Sequence, residues 1–152
     1  MALVNVKKKV EKAADKLGLR SGEVVVAGCT TNPKGTIKHM IGREVGGVVG
    51  AAIAGRSSSP TAAPTEGTLG SRFPSGQRFL VLTDQRVFTC TLSAMTGSPK
   101  AIDAEWQRTE IVSVTMEKGR MASPLTIVFA DGSAVEVEGA MGSDPASLAD
   151  AF

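Results

Sequence analysis

The sequence predicts a mainly β, single-domain fold over residues 1–152: an antiparallel sheet of about seven strands, a helix at each end and a glycine-rich helical insert. Three observations carry that expectation. From Gln77 onward, apolar residues recur with a period of two in short runs separated by turn residues, the mark of half-buried strands. Asp131-Gly132 joins two such runs and is a strong hairpin signal, because both residues suit a tight primed turn. The first 17 residues instead follow a helical period.

Taken in order, Leu3, Val6, Val10, Ala13 and Leu17 form one apolar stripe and predict an amphipathic helix from Leu3 to Leu17. Lys7, Lys8, Lys9, Lys12 and Lys16 lie off that stripe. Gly18 ends the helix, as glycine does just past a C-terminus. A first strand, Glu23 to Ala27, follows with three consecutive valines. Asn32-Pro33 then opens a helical insert running from about Lys34 to Ala54. In it Gly42, Gly46 and Gly50 keep a four-residue spacing that Ala54 continues. Each glycine costs a helix about 1 kcal/mol relative to alanine, so three on one face imply a compensating close approach of another backbone. Ile37, Ile41, Val45, Val48, Val49 and Ile53 supply apolar flanks to such a contact. A flexible glycine-rich loop is the competing reading, but a linker has no need of this periodicity. Arg56 to Ser75, rich in Ser, Pro and Ala, reads as a mobile linker.

The remaining strands are Phe79–Leu82, Arg86–Leu92, Ala101–Gln107, Ile111–Glu117, Leu125–Ala130 and Ser133–Glu138. In the last, Val135 and Val137 alternate with Glu136 and Glu138, so the valines are expected inward and the glutamates in water. Asp144 is placed to cap a short terminal helix with Pro145 in its first turn.

Composition narrows the chemistry. Five Phe, one Trp and no Tyr leave the core to aliphatic residues. Cys29 and Cys90 match no metal-ligand spacing and suit a reducing cytoplasm, as small buried hydrophobes. His39 is the single histidine and has no oriented partner in sequence, so neither acid–base nor nucleophilic catalysis is expected. Glu136 and Glu138 share a strand face, which is ordinary for a solvated strand. No phosphate-binding glycine loop occurs, because nothing like Gly-Lys-Ser/Thr closes the Gly42–Gly50 run. The basic residues lack interleaved aromatics, so nucleic acid is not an expected partner, and no cofactor is implied. Lys7–Lys9 lead into Glu11 and Asp15 instead of an apolar signal segment. The apolar run Val45–Gly55 covers about half the roughly 20 residues a spanning helix needs.

The stretches Phe79–Cys90 (FLVLTDQRVFTC), Thr109–Met116 (TEIVSVTM) and Leu125–Val137 (LTIVFADGSAVEV) together resemble the bacterial pleckstrin-homology-like and GRAM-like domains. The resemblance covers about residues 77–152 and the strand at 23–27. It implies a bent seven-stranded antiparallel sheet in two orthogonal halves, closed at one end by a C-terminal helix, and a binding or assembly role. Two departures stand out: the insert between the first two strands is far longer than a hairpin loop, and the terminal helix is short. The basic first loop through which eukaryotic relatives grip lipid is replaced here by the glycine-rich insert, so that inference does not carry over.

Two functional expectations follow. One is a non-enzymatic scaffold that self-associates, or binds a protein partner, through Ile41, Gly42, Val45, Gly46, Val49, Gly50, Ile53 and Ala54. The other is a cytoplasmic module peripheral to the inner face of the membrane, meeting anionic lipid through Lys7, Lys8, Lys9, Lys12 and Lys16. Charge asymmetry bears on both. Residues 1–60 carry ten Lys/Arg against four Asp/Glu, whereas 61–152 carry seven against eleven, so the front half suits either an anionic surface or the acidic half of another subunit. The apolar stripe of the first helix has no Trp or Phe anchor, which favours protein packing.

Overall fold

The computed structural model describes residues 5–33, 67–117, 122–140 and 142–152. Its elements are α1 (Val6–Lys12), α2 (Ala14–Leu17), β1 (Val25–Pro33), β2 (Arg78–Thr83), β3 (Arg86–Leu92), β4 (Pro99–Gln107), β5 (Ile111–Met116), β6 (Ala122–Phe129), β7 (Ala134–Ala140) and α3 (Pro145–Ala151). The strands form one antiparallel seven-stranded sheet in the order β4-β3-β2-β1-β7-β6-β5.

The sheet curls. Trp106 on β4 and Phe129 on β6 stand five strand spacings apart, roughly 24 Å if the sheet were flat. Their ring centroids are nevertheless 5.5 Å apart. One face is therefore wrapped around a single core that includes Cys29, Leu80, Leu82, Val87, Trp106, Val114, Ile127, Phe129 and Val137, closed by Leu148 of α3. The opposite face of the β1–β3 part carries a second cluster. There Val25, Phe79, Val81, Phe88 and Cys90 meet Val6, Val10 and Leu17 of the N-terminal helices. This two-sided burial explains why Phe79-Leu80-Val81-Leu82 is continuously apolar: alternate residues enter different clusters.

Two glycines set these contacts. A Cβ at Gly28 would lie 2.8 Å from Cγ1 of Val6, so glycine lets α1 seat directly on β1. A Cβ at Gly139 would lie 2.6 Å from Cβ of Pro145, so α3 can cross β7 only because that carbon is missing.

Several expectations hold. Gly18 caps α2 in the left-handed region, Asp131-Gly132 turns β6 into β7, and Asp144 accepts the amide proton of Ser147 at the start of α3. Others need correction. The first helix is interrupted at Ala13, whose amide is shared between Lys9 O and Val10 O, and Leu3 lies outside the described residues. β1 starts at Val25 and continues to Pro33, so Asn32-Pro33 ends a strand instead of opening a helix. Val26 is the extra residue of a bulge, which leaves Val24 and Val26 exposed and only Val25 buried.

The stretch read as linker up to Ser75 is packed over its described end. Leu69 and Phe73 lie on the core around a short 3₁₀ turn, Gly70–Arg72, and Phe73 stacks on Trp106 at 5.7 Å. Glu138 is also misplaced by the period-of-two reading. Val135 and Val137 are buried as expected, but Glu138 is only 6% exposed. β7 is an interior strand, and Asn32 on β1 and Pro124 on β6 flank Glu138 from both sides. The helical insert 34–54 lies outside the described residues.

Candidate functional site

The groups with catalytic potential come first, because their surroundings decide what they can do. Cys29 and Cys90 are both fully enclosed but sit in different clusters, on opposite faces of the sheet. Burial, with the Asp144 charge, pushes the Cys29 thiol up to about 12. Burial and Asp103 push Cys90 equally to about 12, although Arg86 pulls the other way. Neither thiol becomes a thiolate near neutrality, and they cannot pair with each other. His39 lies outside the described residues. Among the described residues, no group of three His, Cys, Asp or Glu is arranged to hold a metal ion.

The conspicuous charge cluster is structural. Arg86 at the start of β3 donates from Nε and Nη2 to the two carboxylate oxygens of Glu23, at 2.8 and 3.1 Å, and from Nη1 to Glu105. Thr83 Oγ1 donates to Glu23 at 2.8 Å and accepts the amides of Gln85 and Arg86, fixing the β2–β3 turn. Burial alone would raise the Glu23 pKa, but the bonds from Arg86, the Arg20 amide and Thr83 outweigh it and hold the carboxyl below its ordinary value. Arg86 also lies 5.2 Å over the Phe88 ring.

A second polar cluster clasps the chain at Leu69 and Gly70, ahead of β2. Leu69 N–H donates to Asp131 Oδ2 at 2.7 Å, Gly70 N–H to Ser133 Oγ at 2.9 Å, and Trp106 Nε1 to Leu69 O at 2.9 Å. Bonds from Ser133, then from the Leu69 amide, hold the Asp131 carboxyl below its usual range. Sequence reasoning missed this clasp. Its signal was Leu69 and Phe73 in an otherwise polar run, together with an indole that had to find an acceptor.

The apolar void between Phe73, Leu82, Trp106 and Phe129 measures about 10 Å³, no more than about one water. A shallow groove of about 380 Å³ crosses the outer side of β5–β7, lined by Thr115, Met116, Glu117, Pro124, Thr126, Ala134 and Glu136.

Of the sequence-predicted contacts, Lys7, Lys8, Lys12 and Lys16 are exposed on the N-terminal helices and Lys9 is half-buried. With Val6 and Val10 facing the sheet, Lys8 and Lys12 share the outer side of α1, while Lys7 and Lys9 fall on opposite flanks. Ile41, Gly42, Val45, Gly46, Val49, Gly50, Ile53 and Ala54 lie outside the described residues. No described helix is long and apolar enough to cross a membrane. Compared with protein-family models, curated proteins and solved structures, the chain matches none.

Proposed function

We propose that the chain is a non-enzymatic, pleckstrin-homology-like interaction module that self-associates through residues 37–54. The observation that carries this reading is the anchoring of residues 34–66 at both ends. At one end Pro33 is in register with Val137 on β7. At the other, Leu69 and Gly70 are clasped by Asp131 and Ser133 on the turn that leads into β7. Ser133 and Val137 are roughly 13 Å apart along an extended strand. The described residues on either side of this apolar, glycine-periodic stretch are thus both fixed at β7 and the turn that leads into it, which supports reading the stretch as a contact element. The strand order, the curl of the sheet and the closing helix α3 agree with two sheet halves of the pleckstrin-homology kind. The high thiol pKa values and the enclosed Arg86–Glu23 pair favour binding over catalysis. A fold of this kind leaves the partner open.

Gly46→Leu tests the reading. The expected result is a shift to smaller species by light scattering, with thermal stability unchanged. Unchanged mass with lost stability would mean that the glycine stripe packs on the protein's own sheet, and would overturn it.

A further inference from the structure

A different surface carries an inference independent of self-association. Val6 and Val10 point α1 into the sheet, which leaves Lys8, Lys9 and Lys12 along its outer side and one flank, with Lys16 following on α2. That flank turns toward the β3–β4 connection, because Lys9 Nζ donates to Gly97 O at 3.4 Å. The connection is a bonded turn. Ser93 N–H donates to Ser98 O and Gly97 N–H to Ser93 O, each at 2.8 Å, and Gly97 takes the left-handed φ of 64° that closes it. At its tip Met95 is 95% exposed. A turn closed by its own hydrogen bonds thus holds a long apolar side chain in water beside the helix that carries these lysines, with the Lys9 ammonium directly on the turn. Lys100, just inside β4, is also exposed. The nearby carboxylate of Asp103 is occupied by Arg78 and Thr89.

From this juxtaposition we infer that the face docks on an anionic phospholipid bilayer, with Lys8, Lys9, Lys12 and Lys16 at the headgroup phosphates and Met95 entering the interface. Charge complementarity selects a polyanion. Met95 selects among polyanions: a bilayer offers an apolar phase a few ångströms beneath its charges, which a nucleic acid backbone or an acidic peptide does not. The described residues of this face include no aromatic ring for stacking on bases. The sequence signal was an apolar residue standing alone in Ser93-Ala94-Met95-Thr96-Gly97-Ser98.

Co-sedimentation of the full chain with vesicles tests the inference. The chain should pellet with mixed phosphatidylglycerol–phosphatidylcholine vesicles and stay in solution with phosphatidylcholine alone. Lys8→Gln combined with Lys12→Gln should lower partitioning roughly twenty-fivefold, at about fivefold per lysine. Met95→Asp should lower it roughly tenfold, and Met95→Leu should preserve it. All these side chains are exposed, so thermal melts and light-scattering mass should stay as in the parent chain, separating this result from any effect on self-association. Equal binding to both vesicle types, or to neither, would overturn the inference. So would a lysine effect without a Met95 effect, which would mean adsorption by charge alone with no side chain entering the interface.

Discussion

Replacing Arg86 by Met removes the cation from a side-chain site that is only 7% exposed and leaves the wholly enclosed Glu23 carboxylate without it. Breaking a buried pair by deleting one partner costs about 3–5 kcal/mol, since the surviving charge stays in a poorly solvated place. The lower end applies here. Glu105, the other acceptor, is 46% exposed, so water stands close to the guanidinium, and Thr83 still donates to Glu23. A loss of about 3 kcal/mol, at about 2 kcal/mol per molar urea, lowers the unfolding midpoint by about 1.5 M. The pH dependence gives a sharper check. In the parent chain the Glu23 pKa is depressed, so its stabilisation is full above the ordinary value of 4.5 and is lost as pH falls through the folded value. In the variant the Arg86 bonds are lost while burial and the bonds from the Arg20 amide and Thr83 remain, so the same pKa lies higher than in the parent and Glu23 takes up its proton sooner as pH falls. The gap between the two urea midpoints should therefore be widest near pH 7 and narrow below about pH 5. Adding Glu23→Gln should recover part of the loss at pH 7. A gap that is constant with pH, or a loss under about 1 kcal/mol, would refute the view that this pair is a buried, coupled unit.

Gly28→Val forces a side chain into Val6, and should cost about 1–3 kcal/mol in thermal or urea unfolding by lifting α1 off β1. Val137→Asp places a charge in the core and should cost several kcal/mol. Glu138→Lys should also cost well over the few tenths of a surface change, because Glu138 is enclosed, and thermal melts of the two variants compare them directly. Both thiols should stay unreactive toward a thiol reagent at pH 8 in the folded chain and react together only on unfolding, as their pKa values of about 12 require.

Local signals were legible in the chain itself. Gly18, Asp131-Gly132 and Asp144-Pro145 mark their turns and caps through their own backbone preferences, and the structure places each accordingly. The bounds of β3 were likewise set by neighbouring residues alone: Arg86 follows a turn and Leu92 precedes one. What escaped depends on residues far apart. Glu23 read as a strand start because Arg86, its partner, lies 63 positions away. Leu69 and Phe73 read as linker because Trp106 and Asp131, which hold them, belong to β4 and the β6–β7 turn. Glu138 alternates like a solvated residue, and only the pairing of β1 with β7 shows that both its flanks are covered. Of the site residues, the lysines follow from helical spacing, whereas the placing of Met95 beside them depends on a contact 88 positions apart, between Lys9 and Gly97.

The central claim, self-association of an anchored glycine-periodic stretch, is tested most directly by the solution mass of the unmodified chain. Light scattering across a dilution series should return a multiple of the 15.7 kDa protomer that persists at micromolar concentration. A mass of 15.7 kDa at every concentration would contradict it.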